Sequence, residues 1–175
     1  MKKLISSFMI FALCSVPVLA MNEKECPPTP PASADLERVK GLAGKWEGTT
    51  ITNGKEEKAA SEYKVTSGGS AVVETLFPGT PHEMVSVYHD KSGKLSMTHY
   101  CMLGNQPELE LQSVSAGKMS FDMSTDSHKT LAGQMHMHSL TVDASVPGQI
   151  IQTWTAMGPD GKPMDSTVIT LKKVT

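Results

Sequence analysis

The sequence predicts an all-β protein, an up-and-down antiparallel barrel of about ten strands with one short N-terminal helix. Three observations predict it. Beyond Gly44 the chain divides into extended segments of roughly eight to eleven residues. Plain turn chemistry separates them: Asn53-Gly54, Gly68-Gly69, Pro78-Gly79, Ser92-Gly93, Gly104-Asn105, Ala116-Gly117, Pro147-Gly148 and Asp160-Gly161. Inside the segments apolar and polar residues alternate with the period of a strand, so each offers one face to a core. A closed barrel leaves no edge strand to protect; a two-sheet sandwich is the alternative.

The elements follow in order. Residues 1–20, MKKLISSFMIFALCSVPVLA, combine a basic start (Lys2, Lys3), an apolar run and a Val18-Leu19-Ala20 ending. This is the pattern of a secretory signal, and the run is too short and wrongly flanked for a membrane anchor. Cys14 invites a lipoprotein reading, but Leu13 stands where that cleavage wants a small residue. The expected mature chain begins near Met21, is exported, and has the periplasm as its leading compartment. It keeps 14 basic and 18 acidic residues, a net charge of −4, in interspersed order. That argues against nucleic acid and anionic membrane as partners, and no later apolar stretch suggests an integral membrane segment. About 155 residues suffice for one domain burying about 70% of its unfolded surface.

Residues 21–32, MNEKECPPTPPA, read as a proline-rich linker, and residues 33–175 as the barrel domain. Cys26 and Cys101 either form a bridge across an oxidising compartment or stay separate thiols. In SADLERVKGLAG, Ser33 caps a helix that carries Leu36, Val39 and Leu42 on one side, and Gly41 or Gly44 ends it. No other helix is expected.

Strand parity then assigns an interior. Met119, Phe121 and Met123 alternate with Lys118, Ser120 and Asp122, and Leu109 and Leu111 with Glu108 and Glu110. Leu95 and Met97 carry His99 and Cys101 inward with them. Val72 and Leu76 share a face with Glu74, in competition with Val73 and Phe77. Ile150, Gln152 and Trp154 form the inner set of their strand. In GQMHMHSLTVD, Leu140 and Val142 bring His136 and His138 inward and leave Met135 and Met137 outside, unless a β-bulge between Met137 and Leu140 reverses the first half. An interior holding this many polar groups suggests a cavity, because each unpaired buried one costs about 1–3 kcal/mol.

The helix followed by Gly44-Lys45-Trp46-Glu47-Gly48 resembles the start of a calycin, the superfamily of lipocalins and fatty-acid-binding proteins. The resemblance implies a lipocalin-like barrel with Trp46 closing one end. THYCMLGNQPEL (Thr98–Leu109), HMHSLTVD (His136–Asp143) and QTWTAMGPDGKPMDSTVITL resemble an exported bacterial family of unknown function. Nitrobindin-like calycins bind haem through a histidine near the C-terminal strands; no histidine follows His138 here, which disfavours haem.

Two function classes emerge. The first is a non-catalytic binder of a small apolar or amphipathic molecule inside the barrel. Its expected lining is Trp46, Glu74, Met97, His99, Met119, Phe121, Met123, His136, His138, Leu140, Gln152 and Trp154. The second is a metal-dependent enzyme or metal-binding protein. Two histidines at i and i+2 on a strand lie about 6.5–7 Å apart on one face, and a divalent metal there needs a third ligand: His99, which shares inward parity, is the first candidate to join His136 and His138, and Glu74 the second. Copper on MHMH is disfavoured, since alternation parts the thioethers from the imidazoles. His99 and Cys101 share a face, but no third residue completes a nucleophilic site. His82, His89 and His128 belong to strand ends or turns, in solvent.

Overall fold

The computed structural model describes residues 31–52 and 54–174. The signal segment, Cys26 and most of the proline-rich linker lie outside the described residues. Ten strands form one wall: β1 (Gly44–Thr52), β2 (Lys55–Thr66), β3 (Ala71–Leu76), β4 (Met84–Lys91), β5 (Lys94–Tyr100), β6 (Glu108–Ser115), β7 (Lys118–Met123), β8 (His136–Asp143), β9 (Gln149–Met157) and β10 (Thr167–Lys173). Each pairs antiparallel with the next, and β10 returns to β1 to close the barrel. This meander is consistent with a calycin-like fold; the sandwich alternative is not what forms.

The closing seam explains one glycine. On β1, Gly48 stands opposite Leu171 of β10. A Cβ there would lie 1.9 Å from the Thr170 carbonyl oxygen, so the two backbones approach closely only because the side chain is missing.

The N-terminal helix, α1 (Ala34–Lys40), is fixed at its start. Ser33 Oγ accepts from the Leu36 N–H at 3.0 Å, which satisfies a helical donor left over at the first turn. The Ser33 N–H and hydroxyl both donate to the Asp90 carboxylate at 2.7 Å, tying the cap to the end of β4. Leu36 and Val39 are buried. Trp46 Nε1–H donates to the Leu42 carbonyl at 2.8 Å, and the Lys173 ammonium stands 5.4 Å from the Trp46 ring centroid. Helix and tryptophan together close this end.

Behind that cap the interior is packed. Met97, Leu109, Phe121, Leu140 and Ile150 come from five different strands, and none is more than 2% exposed. Each such burial stabilises by about 1.5–3 kcal/mol. On β3 the set Val72, Glu74 and Leu76 takes the interior.

Several boundaries differ from those the sequence pattern predicts, which places strands over GKMSFDMST (Gly117–Thr125), KPMDSTVITLKKV (Lys162–Val174) and KAASEYKVTS (Lys58–Ser67). The strand expected to reach Thr125 stops at Met123, and a second short helix, α2 (Thr125–Thr130), follows. Its cap is Ser124, whose Oγ accepts from the Ser127 N–H at 3.3 Å. β10 begins at Thr167 rather than at Lys162, because Gly158 N–H bonds the Lys162 carbonyl in a turn that consumes those residues. β2 begins at Lys55, three residues earlier than Lys58, in register with the end of β1.

Candidate ligand-binding cavity

At the end opposite α1 the barrel is hollow. The cavity there has a volume of about 430 Å³, within the ordinary range for small-molecule sites. Leu76, Trp154 and Ile169 supply its deep apolar wall. Four thioethers, from Met84, Met102, Met135 and Met137, surround it together with the half-buried Cys101. Unbranched, polarisable methionine adapts to irregular ligands, so this side of the site can reshape without a change of fold. Burial pushes the Cys101 thiol up, against weaker downward pulls from the backbone at Leu103 and Met102. Cys101 has no disulfide partner among the described residues, and the bridge to Cys26 falls outside them.

Two buried polar groups border the hollow. His99, only 1% exposed, engages Ser86 Oγ through Nδ1 at 3.0 Å and stacks on Trp154 with ring centroids 4.7 Å apart. Desolvation by burial lowers its pKa to about 4, so the ring is neutral near pH 7. Thr50 is 6% exposed, and its Oγ1 has no hydrogen-bond partner among the described residues. The charged lining residues, Glu57 and Lys58, together with His82, are exposed at the rim.

Directly beneath lies a polar network that is complete. Trp154 Nε1–H donates to Gln152 Oε1 at 3.0 Å, and Gln152 Nε2 donates to Tyr63 OH at 2.7 Å and to the Glu74 carboxylate. Glu74 also accepts from Ser61 Oγ and Tyr88 OH, each at 2.9 Å. Burial raises the Glu74 pKa, and the surrounding donors oppose that shift. All the donors are neutral; satisfied hydrogen bonds, not a counter-ion, hold the carboxyl inside.

Of the residues expected to line a cavity, His99 and Trp154 do so. Glu74 and Gln152 are interior but occupied by one another. Met97, Met119, Phe121 and Leu140 fill the packed core, Met123 is buried without bordering the hollow, and Trp46 closes the far end. Thr50, Leu76, Met84, Met137 and Ile169 border the hollow without having been expected to. Thr50 was within reach of parity, two steps beyond Gly48 and four beyond Trp46 on β1.

His136 and His138 require a correction. The β8–β9 register shifts between Met137 and Ser139: Met137 opposes Ala156, while Ser139 opposes Thr155. That bulge turns Met137 onto the core and the cavity and turns His138 outward toward Asp122, while His136, 5% exposed, is buried beside His138 without bordering the cavity. His136 Nδ1 donates to the Gln134 carbonyl at 2.7 Å, and its Nε2 lies 3.3 Å from His138 Nδ1. His138 Nε2 is 3.4 Å from Asp122, an outward residue of β7, and its ring is 5.0 Å from that of His128 on α2. His99 therefore does not meet them, and no group of three or more His, Cys, Asp or Glu among the described residues is arranged to hold a metal ion. The separation of thioethers from imidazoles along MHMH does hold: Met135 and Met137 border the cavity, and His136 and His138 do not.

No protein-family model matches this chain, and a search of curated proteins finds no match.

Proposed function

We propose that the protein is an exported, non-catalytic binder of a small apolar or amphipathic molecule, held in the open end of a calycin-like barrel. The observation that carries this reading is the contrast inside one barrel: a packed, capped half and a hollow of about 430 Å³ walled by Leu76, Trp154, Ile169 and methionines. Concave apolar surface of that kind favours a ligand that leaves water behind. The N-terminal pattern supports export, and the strings THYCMLGNQPEL and HMHSLTVD support kinship with exported bacterial proteins of this shape. The test is titration with N-phenyl-1-naphthylamine, a neutral probe that fluoresces in apolar sites. Saturable enhancement is expected, weakened at least about tenfold by Met137→Trp, which fills the mouth. Absence of saturable enhancement in the wild-type protein overturns the reading.

A further inference from the structure

We infer that the cavity selects a ligand carrying an uncharged oxygen function, a hydroxyl or a carbonyl, inserted head first and hydrogen-bonded by Thr50 and His99. This rests on the binder reading above and specifies its ligand.

The unpartnered hydroxyl is the first support. Thr50 Oγ1 is buried and finds no partner among the described residues, although buried polar groups almost always have one. Thr50 borders the cavity, so a turn about its χ1 brings Oγ1 to a ligand atom there. The second is the imidazole. Ser86 occupies His99 Nδ1, which leaves Nε2 as the ring atom without a partner among the described residues. A serine hydroxyl donates or accepts with equal ease, so Nε2 is free to take either role. Thr50 likewise can donate or accept. This pair suits a hydroxyl, which needs both roles, or a carbonyl, which accepts twice.

Charge supplies the third support. Among the described residues the deep lining holds no cation: His99 is neutral near pH 7, and Lys58 and His82 are exposed at the rim. A carboxylate carried inside would lose its hydration against neutral donors alone, at a cost that far exceeds that of a hydroxyl. A carboxylate could instead stay at the rim beside Lys58 with its tail inside, but that pose leaves Thr50 Oγ1 orphaned. Head-first entry of a neutral group resolves both difficulties.

The experiment displaces N-phenyl-1-naphthylamine from the whole protein with 1-decanol, 2-decanone and decanoate at about pH 8, where the acid is ionised. The expected result is that decanol and decanone compete at least about tenfold better than decanoate, and that Thr50→Val weakens decanol about fivefold or more. Decanoate competing as well as decanol, with the advantage lost in Lys58→Ala, overturns the inference in favour of tail-first binding. Equal competition by decanol in wild type and Thr50→Val overturns it as well. In both outcomes the probe still binds and the binder reading stands; failure of the probe itself sinks that reading instead.

Discussion

The two halves of this barrel obey the same alternation and treat polar groups in opposite ways. In the capped half and the layer above it, a buried carboxyl is accepted because five other side chains organise around it: Ser61, Tyr88 and Gln152 donate to Glu74, and Gln152 is held in turn by Tyr63 and Trp154. In the open half a much less costly group, the hydroxyl of Thr50, is left without a partner. Burying Glu74 unpaired would cost far more than an orphaned hydroxyl, which costs only about 1–3 kcal/mol. The hydroxyl is therefore tolerated beside a cavity that a ligand can enter, and the carboxyl only inside a shell of donors.

Breaking the satisfied half has the largest expected effect. Glu74→Ala removes the acceptor common to Ser61, Tyr88 and Gln152 and opens a void among residues that are fully buried. A loss of about 3–5 kcal/mol is expected, read as a lower urea midpoint with an unchanged slope. A loss below about 1 kcal/mol would mean that the network is not what holds this layer together.

Acid separates the halves next. The His99 pKa in the folded state, about 4, lies below its ordinary 6.5, so the stability that depends on a neutral ring is fully present above pH 6.5 and is lost as pH falls toward 4. The shift corresponds to about 3 kcal/mol. Glu74 works in the other direction. Its raised folded pKa means that protonation favours the folded state, so its contribution declines as pH rises from 4.5 through the raised value. His99→Phe should flatten the fall in urea-derived stability between about pH 6.5 and 4, and Glu74→Gln should steepen it. Parallel profiles for wild type and His99→Phe would show that the ring is not titrating from a buried state.

These contrasts also mark what the sequence could disclose. Period-two alternation identified the inward faces of β5, β7 and β9 correctly, since Met97, Met119, Phe121 and Trp154 are all buried. Ser33 and the glycine turns were equally legible, because caps and turns are local chemistry. The bulge in β8 was foreseen only as an alternative. Its reality depends on how β8 aligns with β9, which His-Met-His does not encode by itself. Pairing was invisible for the same reason. Glu74 and Gln152 stand 78 positions apart, and parity says that both point inward without saying that they consume each other's hydrogen bonds. Ser124 before Thr125-Asp126 was a readable cap signal for α2 that the strand pattern of Lys118–Met123 obscured.

The histidines of β8 offer a smaller test that sharpens the same division. Neither His136 nor His138 borders the cavity, so replacing both with alanine should cost about 1 kcal/mol through the buried His136 ring and leave binding of N-phenyl-1-naphthylamine within about twofold. A tenfold loss of probe affinity would place them in the site after all and undo the assignment of the bulge.

The smallest effect is the most diagnostic, because its sign runs against experience. Thr50→Val replaces a hydroxyl with a methyl group of the same shape at a position that is 6% exposed. At an ordinary buried threonine the change breaks a hydrogen bond and destabilises the protein. Here no hydrogen bond to the described residues exists to break, and Oγ1 is buried without one in return. The ligand-free variant should therefore be more stable than wild type, by up to about 1 kcal/mol, with a thermal midpoint higher by a few degrees. The gain should vanish when 1-decanol is present at saturation, since the ligand then stabilises the wild type through a contact that the variant cannot make. A variant less stable than wild type without ligand would show that the hydroxyl has a partner within the fold, such as a bound water, and that the open half is no less satisfied than the closed one.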